Sequence, residues 1–472
     1  METIFRKKDI SEKTILEFLE KVDLSFPIPL SEKTNLTDYA KKIYENGTIC
    51  GYVENGEIVS MVAGYLDKIR YDIGYITLVA TLPEYQGRGI AHKVIRGFLK
   101  EAEEMEIRGV HLYTVRNNKA VVRMYNNLRF EELCLESEAR PKDVHLMHWI
   151  QQKTALVTAI GSFSAGCSVK SLKEIGYQVV GCDIYDGRWI AETENVDRFY
   201  QVPKAVEEEA FLEVLLDICK REKITKIIPS TDVEVDFFNK YRIAFEEKYI
   251  TICISGKETL DICRNKKRQQ ELLSQREGFS SAIPTAAYTE GMELPFSFPM
   301  VCKPLDGRSS QGLTYVRDEK EWAHFTRTAD SRYIIQPYIE GDIVTVDVIR
   351  QRDGQKTVAI PRKELLRTLN GAGTSVKVFS DEKLEEECRK IAELLDIKGC
   401  VNFEFIQYED RYYFIECNPR FSGGIAFSCI AGYDCIHNHM RCFKNKEIED
   451  QPQIKEMYIA RKYEEHIMLS QE

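Results

Sequence analysis

The sequence predicts a multidomain protein of mixed α/β and α+β class, and three observations carry that expectation. The chain has 472 residues, too many for one hydrophobic core, so two or three domains are expected. From TALVTAIG at 154–161 onward, strand, helix and strand recur through YQVVGCDI, AFLEVLLDICKREK, KIIPSTD and YITICIS, the pattern of an open α/β sheet. Beyond about residue 263 the texture changes to strand pairs, FPMVCKP, LTYVRD, YIIQPYI, IVTVDVIR, VNFEFIQ and RYYFIEC, with the helix EKLEEECRKIAELLDI between them.

Ahead of these lies a separate mixed unit. IVSMVAGYL and YITLVAT, within 58–81, read as paired strands, followed by a helix at 89–106, the strand GVHLYTV and a helix at 117–127. The polar QQK at 151–153 marks the first boundary, and ETLDICRNKKRQQELLSQ reads as helical. The expected domains are 1–151, 152–263 and 264–472.

Composition narrows the function classes. With 43% hydrophobic and 30% charged residues the chain is ordinary folded protein rather than disordered. A net charge of −10 and a pI near 5.6 argue against a nucleic-acid partner, which selects basic patches. METIFRKKDISEKT has no apolar signal core and no run approaches the roughly 18 apolar residues of a membrane span, so a cytoplasmic location is expected. In a large chain without an apolar signal core the 14 cysteines read as reduced core residues, and the absence of C-x-x-C spacing argues against a zinc ribbon or redox motif. His437 and His439 in IHNHM lack further ligands at matching spacing and read as core rather than metal site.

In VATLPEYQGRGIAHKV, the residues Gln86, Gly87, Arg88, Gly89, Ile90 and Ala91 fall at a strand-to-helix turn. Small residues there let backbone amides approach an anion such as a pyrophosphate; a plain tight turn would use the same glycines. RNNKAVVRMYNNLRF follows at a suitable distance. Together they resemble the GNAT acyltransferase family over about residues 55–135. The resemblance implies that Gln86 to Ala91 bind the acetyl-CoA pyrophosphate, that Asn118 helps hold that cofactor, and that Tyr125 protonates the departing thiolate. The family's usual glycine before the last Phe is Arg129 here.

GSFSAGCSVKSLKEIGYQVVGCD, 161–183, has glycines after a strand and an aspartate about 20 residues on. Its G-x-x-x-x-G spacing departs from the dinucleotide fingerprint, and no lysine makes it a P-loop. PSTDVEVD, 229–236, sits at another strand end on the same side, where open sheets place ligand crevices.

The most informative stretch is YYFIECNPRF, 412–421. If VNFEFIQ and RYYFIEC form a hairpin with the three-residue loop Glu409 to Arg411, Glu404 lies opposite Glu416, and like charges so placed destabilise. Asn418 projects to the same face, while Ile415 and Cys417 are expected in the core. Two carboxylates and an amide, without histidine or thiolate, select a hard ion such as magnesium, with phosphate completing its shell. Two unrelated glutamates on a solvent-facing edge are the structural alternative. Upstream lie Lys266, Lys303, the glycine- and hydroxyl-rich DGRSSQG at 306–312, and IIQPYIEGD, a strand broken by Pro337.

Lysine, glycine-rich lid, hinge and E…E-x-N-P-R resemble the ATP-grasp superfamily, nearest its carbamoyl-phosphate-synthase-like carboxylate–amine ligase branch, over about residues 154–465. The resemblance implies a GNAT fold followed by a pre-ATP-grasp open sheet and an ATP-grasp fold. It implies Lys266 and Lys303 on ATP phosphates, Ser309 and Ser310 in the lid, and Gln336, Tyr338 and Ile339 at adenine. Glu404, Glu416 and Asn418 would hold Mg2+, or Mn2+, and Arg420 would stabilise an acyl phosphate. Arg362, and Arg367 with it, would anchor further anions. Asp342 would replace the ribose-binding glutamate whose place Ile343 takes. The expected function is an ATP-dependent carboxylate–amine ligase joined to an acetyl-CoA-dependent N-acetyltransferase. The alternative is a ligase regulated by a non-catalytic GNAT-like domain that binds CoA or an amino acid. The expected partners are small-molecule carboxylates and amines, amino acids foremost, and a homodimer is the assembly considered.

Overall fold

The computed structural model describes residues 3–6, 9–67, 71–138, 142–307, 311–352, 355–368 and 371–468. The chain divides into two compact units, one of Met1–Cys134 and Glu138–Lys153, the other of Leu135–Ser137 and Thr154–Glu472. No helix of the described residues is long and apolar enough to cross a membrane.

The first unit is built on one seven-stranded sheet, whose order is Thr3–Arg6, Thr48–Glu54, Glu57–Tyr65, Ile73–Thr81, Gly109–Val115, Asp143–Trp149 and Glu131–Glu132. The strands expected between 58 and 81 form there. The helices Glu12–Val22 and Leu36–Asn46 and the strands before residue 57 had no expected counterpart. Neighbours are antiparallel except Ile73–Thr81 and Gly109–Val115, which pair in parallel only from Ile73↔Gly109 to Tyr75↔His111. Beyond that point the two strands part, and the first runs on into the glycine turn and the helix Ile90–Glu104. That helix buries Ile90, Val94, Ile95, Phe98 and Ala102 against the sheet, a spacing that keeps one face apolar.

The helix Lys119–Asn127 ends in a complete Schellman motif. The Arg129 amide donates to Asn126 O at 2.9 Å and the Phe130 amide to Tyr125 O at 3.1 Å, while the Phe130 and Tyr125 rings meet at 5.4 Å. Arg129 therefore holds φ +63°, the left-handed conformation that glycine adopts without penalty. Its side chain is exposed. Arg129→Gly should therefore stabilise the protein by about 1 kcal/mol, read as a higher urea midpoint; an unchanged or lower midpoint would show that the arginine side chain compensates.

The second unit contains three sheets. The first is five-stranded and parallel, in the order Arg198–Gln201, Gln178–Asp183, Thr154–Thr158, Ile224–Ile228 and Thr251–Ile252. Its strand order reverses between Thr154–Thr158 and Ile224–Ile228, the switch point at which open sheets leave a crevice. A small antiparallel sheet joins Ala286–Ala287, Tyr333–Pro337, Met300–Pro304 and Thr314–Val316. A six-stranded antiparallel sheet runs Arg411–Asn418, Gly399–Tyr408, Asp342–Gln351, Lys356–Arg367, Gly373–Val378 and Met457–Ala460. Val344, Val346, Val348, Phe403, Phe405 and Phe414 fill its core, closed by the helix Glu382–Leu394.

Two expectations are corrected. The stretch read as one helix is two, Lys257–Cys263 and Lys266–Ser274, because the Asn265 side chain accepts from the Arg268 amide at 3.0 Å and caps a new start. The hairpin turn has two residues rather than three, since Tyr408 pairs with Arg411. A bulge restores the alignment: the register passes from Phe405↔Phe414 to Glu404↔Glu416, leaving Ile415 as the extra residue.

Candidate active site

The small sheet and the six-stranded sheet enclose a cleft of about 370 Å³. Its floor is the bulged ribbon. Glu404 and Glu416 face each other there, and Asn418 Nδ2 lies 3.4 Å from one oxygen of each. The bulge turns Ile415 into the cleft with Glu416, whereas Phe414 and Cys417 are the core residues. Ile415 was expected in the core; the two-residue turn and the bulge move it.

The two acids have opposite electrostatic fates. Burial, aided by Glu416, pushes the Glu404 carboxyl up, against the pull of Arg367, whose guanidinium is 3.6 Å away. Burial would raise Glu416 too, but Lys266 and Lys303 hold it below its usual range. Lys266 Nζ sits 3.0 Å from Glu416 and donates to Gly307 O at 2.6 Å. The helix carrying Lys266 is stitched to the acidic strand by two buried glutamines. Gln269 accepts from the Cys417 amide at 2.9 Å, and Gln270 donates to Phe414 O at 2.6 Å.

These groups fit a hard divalent ion. A crowded acid pair with one member pushed toward protonation is relieved by a cation, and magnesium takes one or two carboxylates before completing its shell with phosphate and water. Among the described residues no group of three or more His, Cys, Asp or Glu could hold a metal; Glu404, Glu416 and Asn418, brought together on the ribbon, would be the residues to hold such an ion. Asn418 would have to turn its amide over to present Oδ1.

Lys303, nearly buried, is pulled down to about 8 by burial, with Lys266 lowering it further against Glu416 and Glu404. It is charged at pH 7 and loses that charge as pH rises through 8. ATP should therefore bind roughly tenfold more weakly at pH 9 than at pH 7, and Lys303→Met should remove that dependence. Calorimetric titration with ATP at both pH values measures it.

Gln336, Tyr338 and Ile339 line the cleft opposite the ribbon. Gln336 Nε2 donates to Thr285 Oγ1 at 2.7 Å, and the Tyr338 amide is already engaged by Pro299 O at 3.0 Å. The unpaired hinge expected around Pro337 is thus partly closed, Pro337 itself lying opposite Met300. Gly307 and Gln311 line the cleft; Ser309 and Ser310 lie outside the described residues.

Two expected anion or ribose contacts are placed elsewhere. Asp342 is directed away from the cleft to an ion pair with Lys363, while its neighbour Ile343 lines the cavity. Arg362, expected to anchor an anion, lies on the strand Lys356–Arg367 and is fully buried. It pairs with buried Asp347 and donates to Ser422 Oγ at 2.8 Å and Ser428 Oγ at 3.2 Å. A central strand covered on both faces leaves it no route to a ligand.

Arg420 is partly exposed and held by Asp232, at 3.0 and 3.3 Å. Burial would raise the Asp232 carboxyl, yet Arg420 and Arg264 hold it down at about 2. Asp232 was not among the expected site residues. Its signal was present in PSTDVEVD, where Thr231 caps the helix Asp232–Lys240 and fixes Asp232 at its first position. Asp183, the acid twenty residues beyond the 161 loop, accepts the Gly161 amide at 2.9 Å and so braces that loop.

In the first unit, Gly87 and Gly89 hold φ +76° and +74° with open space beside each, so the backbone conformation, not crowding, calls for glycine. They deliver the chain into the helix Ile90–Glu104, whose first amides are free of helical partners. Gln86 Nε2 donates to Thr81 O at 3.2 Å, and Arg88 donates to Glu84 O at 3.0 Å with its guanidinium over the Tyr85 ring. Ile90 is buried and Ala91 half-buried. Asn118 Oδ1 caps the next helix at the Val121 amide, 3.3 Å away. Tyr125 is buried, which pushes its phenol well above its ordinary value and keeps it protonated.

Residues 15–130 match the model of the Acetyltransferase (GNAT) family, 168–253 that of the PylC-like N-terminal domain, and 329–466 that of the ATP-grasp in the biosynthetic pathway with Ter operon. The carbamoyl phosphate synthase large chain of Clostridium beijerinckii is 25% identical over 282 residues, 55% of this chain and 25% of that protein. That of Saccharolobus solfataricus is 23% identical over 444 residues, 85% of this chain and 41% of that protein. The chain thus spans a quarter of the first of these relatives and about two fifths of the second. Among solved structures, the biotin carboxylase of Campylobacter jejuni superposes with TM-score 0.54 at 18% identity, over 64% of this chain and 73% of that one. The L-amino acid ligase of Bacillus licheniformis does so with TM-score 0.51 at 16% identity, over 62% and 75%. These two likenesses are of fold. Domain by domain, therefore, residues 15–130 carry a GNAT acetyltransferase domain and the larger unit carries a PylC-like N-terminal domain and an ATP-grasp domain.

Proposed function

We propose that the second unit is an ATP-dependent carboxylate–amine ligase and the first an acetyl-CoA-dependent N-acetyltransferase. The observation that carries the ligase assignment is the facing pair Glu404 and Glu416 beneath a cleft lined by Lys266 and Lys303. A substrate carboxylate oxygen attacks the terminal phosphorus of ATP, and the bond to ADP breaks. An amine nitrogen then attacks the acyl carbon and phosphate leaves, giving an amide or dipeptide-like bond. Lys266 and Lys303 orient the phosphates, and Arg420, released from Asp232, balances charge on the acyl phosphate. A divalent ion held by Glu404, Glu416 and Asn418 would supply further neutralisation of the phosphate oxygens. The fold shared with an L-amino acid ligase supports amino acids as substrates.

In the first unit the glycine turn supplies amides for a pyrophosphate, and Tyr125 stays protonated until a thiolate needs its proton. The test is an ADP-release screen over pairs of amino acids, with and without acetyl-CoA. Stimulation by at least one pair is expected; none across the screen would count against the ligase. Tyr125→Phe should slow CoA-thiol release by roughly a hundredfold. An unchanged rate would remove Tyr125 as the acid, and no CoA-thiol release by the unaltered chain would favour the GNAT-like domain as a non-catalytic regulator.

A further inference from the structure

At the switch point of the parallel sheet lies a second crevice, of about 1070 Å³, separate from the nucleotide cleft. It is formed by the segments after Thr154–Thr158, Gln178–Asp183 and Ile224–Ile228, and closed by the chain around Phe427 and Arg461. Its lining is unusual for a surface. Phe163, Tyr185, Trp189, Ile430 and Tyr463 all show exposed apolar side chains there, Trp189 at 73% exposure. Large apolar groups gathered into one concavity mark a binding site rather than ordinary surface.

The wall is held in place. Arg461 lies over the Phe163 ring at 4.7 Å and the Phe427 ring at 4.9 Å. It also donates to Gly373 O at 3.1 Å and to Gly423 O. Tyr185 and Trp189 stand 6.4 Å apart, and the Tyr185 amide is tied to Asp183 at 3.2 Å. Thr231, on the crevice floor, precedes Asp232, the partner of Arg420.

We propose that this crevice binds a substrate carrying an aromatic side chain, an aromatic amino acid or its derivative, an inference that rests on the ligase function proposed above. The rings supply stacking faces, and the crevice is large enough for the whole molecule.

The experiment is calorimetric titration of the full chain with L-phenylalanine, L-alanine, L-phenylalanine amide and 3-phenylpropionate, with ATP titrated separately. L-Phenylalanine should bind at least tenfold more tightly than L-alanine. Trp189→Ala should weaken it roughly three- to tenfold and leave ATP binding unchanged, with Tyr185→Ala as the second variant. Retained binding of the amide assigns the site to the amine substrate, and retained binding of phenylpropionate assigns it to the carboxylate substrate. Equal affinity for alanine and phenylalanine, or indifference to both variants, overturns the proposal. So does a change in sedimentation with Trp189→Ala, which would make the face an interface between copies. If ATP fails to bind while phenylalanine does, the ligase function falls and the aromatic site stands; if small amino acids alone stimulate ADP release, the reverse holds.

Discussion

Glu416→Gln is expected to lower substrate-stimulated ADP release by at least about a hundredfold while leaving the protein folded. The exchange is isosteric and Glu416 lies at a cleft wall, so packing is little disturbed. What changes is charge. Lys266, 3.0 Å away, loses its counter-ion, and Lys303 loses the acid that most opposes its burial. Glu404 alone would have to hold a divalent ion, with Asn418 as its neighbour. The measurement is steady-state ADP release beside a thermal melt. A variant that melts normally and keeps a tenth or more of the rate would remove Glu416 from the metal site.

The second large effect is on stability. Asp347→Ala should cost about 3–5 kcal/mol, because it leaves the buried Arg362 guanidinium with Glu364, at 3.5 Å, as its one remaining carboxylate partner among the described residues. The Asp347 and Arg362 side chains are essentially without solvent contact. They lie diagonally on adjacent strands, since Thr345 is the residue opposite Arg362. Ser428 Oγ also donates to Asp347 at 2.7 Å, so the acid anchors two donors at once. Removing both charges with Asp347→Leu and Arg362→Met should recover only part of the loss, because buried Glu364 then loses the guanidinium 3.5 Å away. Urea unfolding of the single and the double variant tests this; a loss under 1 kcal/mol for Asp347→Ala would show that the buried pair is not what holds these strands.

The parts of the site that were legible in the sequence are those whose chemistry is local. The glycine turn at 86–91 is fixed by backbone conformation, and glycine advertises it. Glu404 and Glu416 could be aligned because strand alternation is strict, yet the alignment was reached through the wrong turn. A three-residue loop and a two-residue turn with a bulge give the same pairing, and only Ile415 tells them apart. Arg362 was misjudged because a charged residue in a strand buried on both faces has the same local appearance as one on a surface. Its partner is fifteen positions away on a neighbouring strand. Asp342 failed for a simpler reason: the residue beside it, Ile343, takes the cleft-facing position. The break at Asn265 was readable as a cap, but the helical pattern on both sides masked it.

The ion pair between Arg420 and Asp232 carries a consequence for the resting protein. The acid stays charged throughout the neutral range, so the guanidinium is never idle; it is latched. A ligand would have to replace both of its contacts with Asp232 to free it, which several oxygens together could do and one weak contact could not. On the ligase function proposed above, such a latch would hold back wasteful nucleotide hydrolysis until a suitable acid arrives.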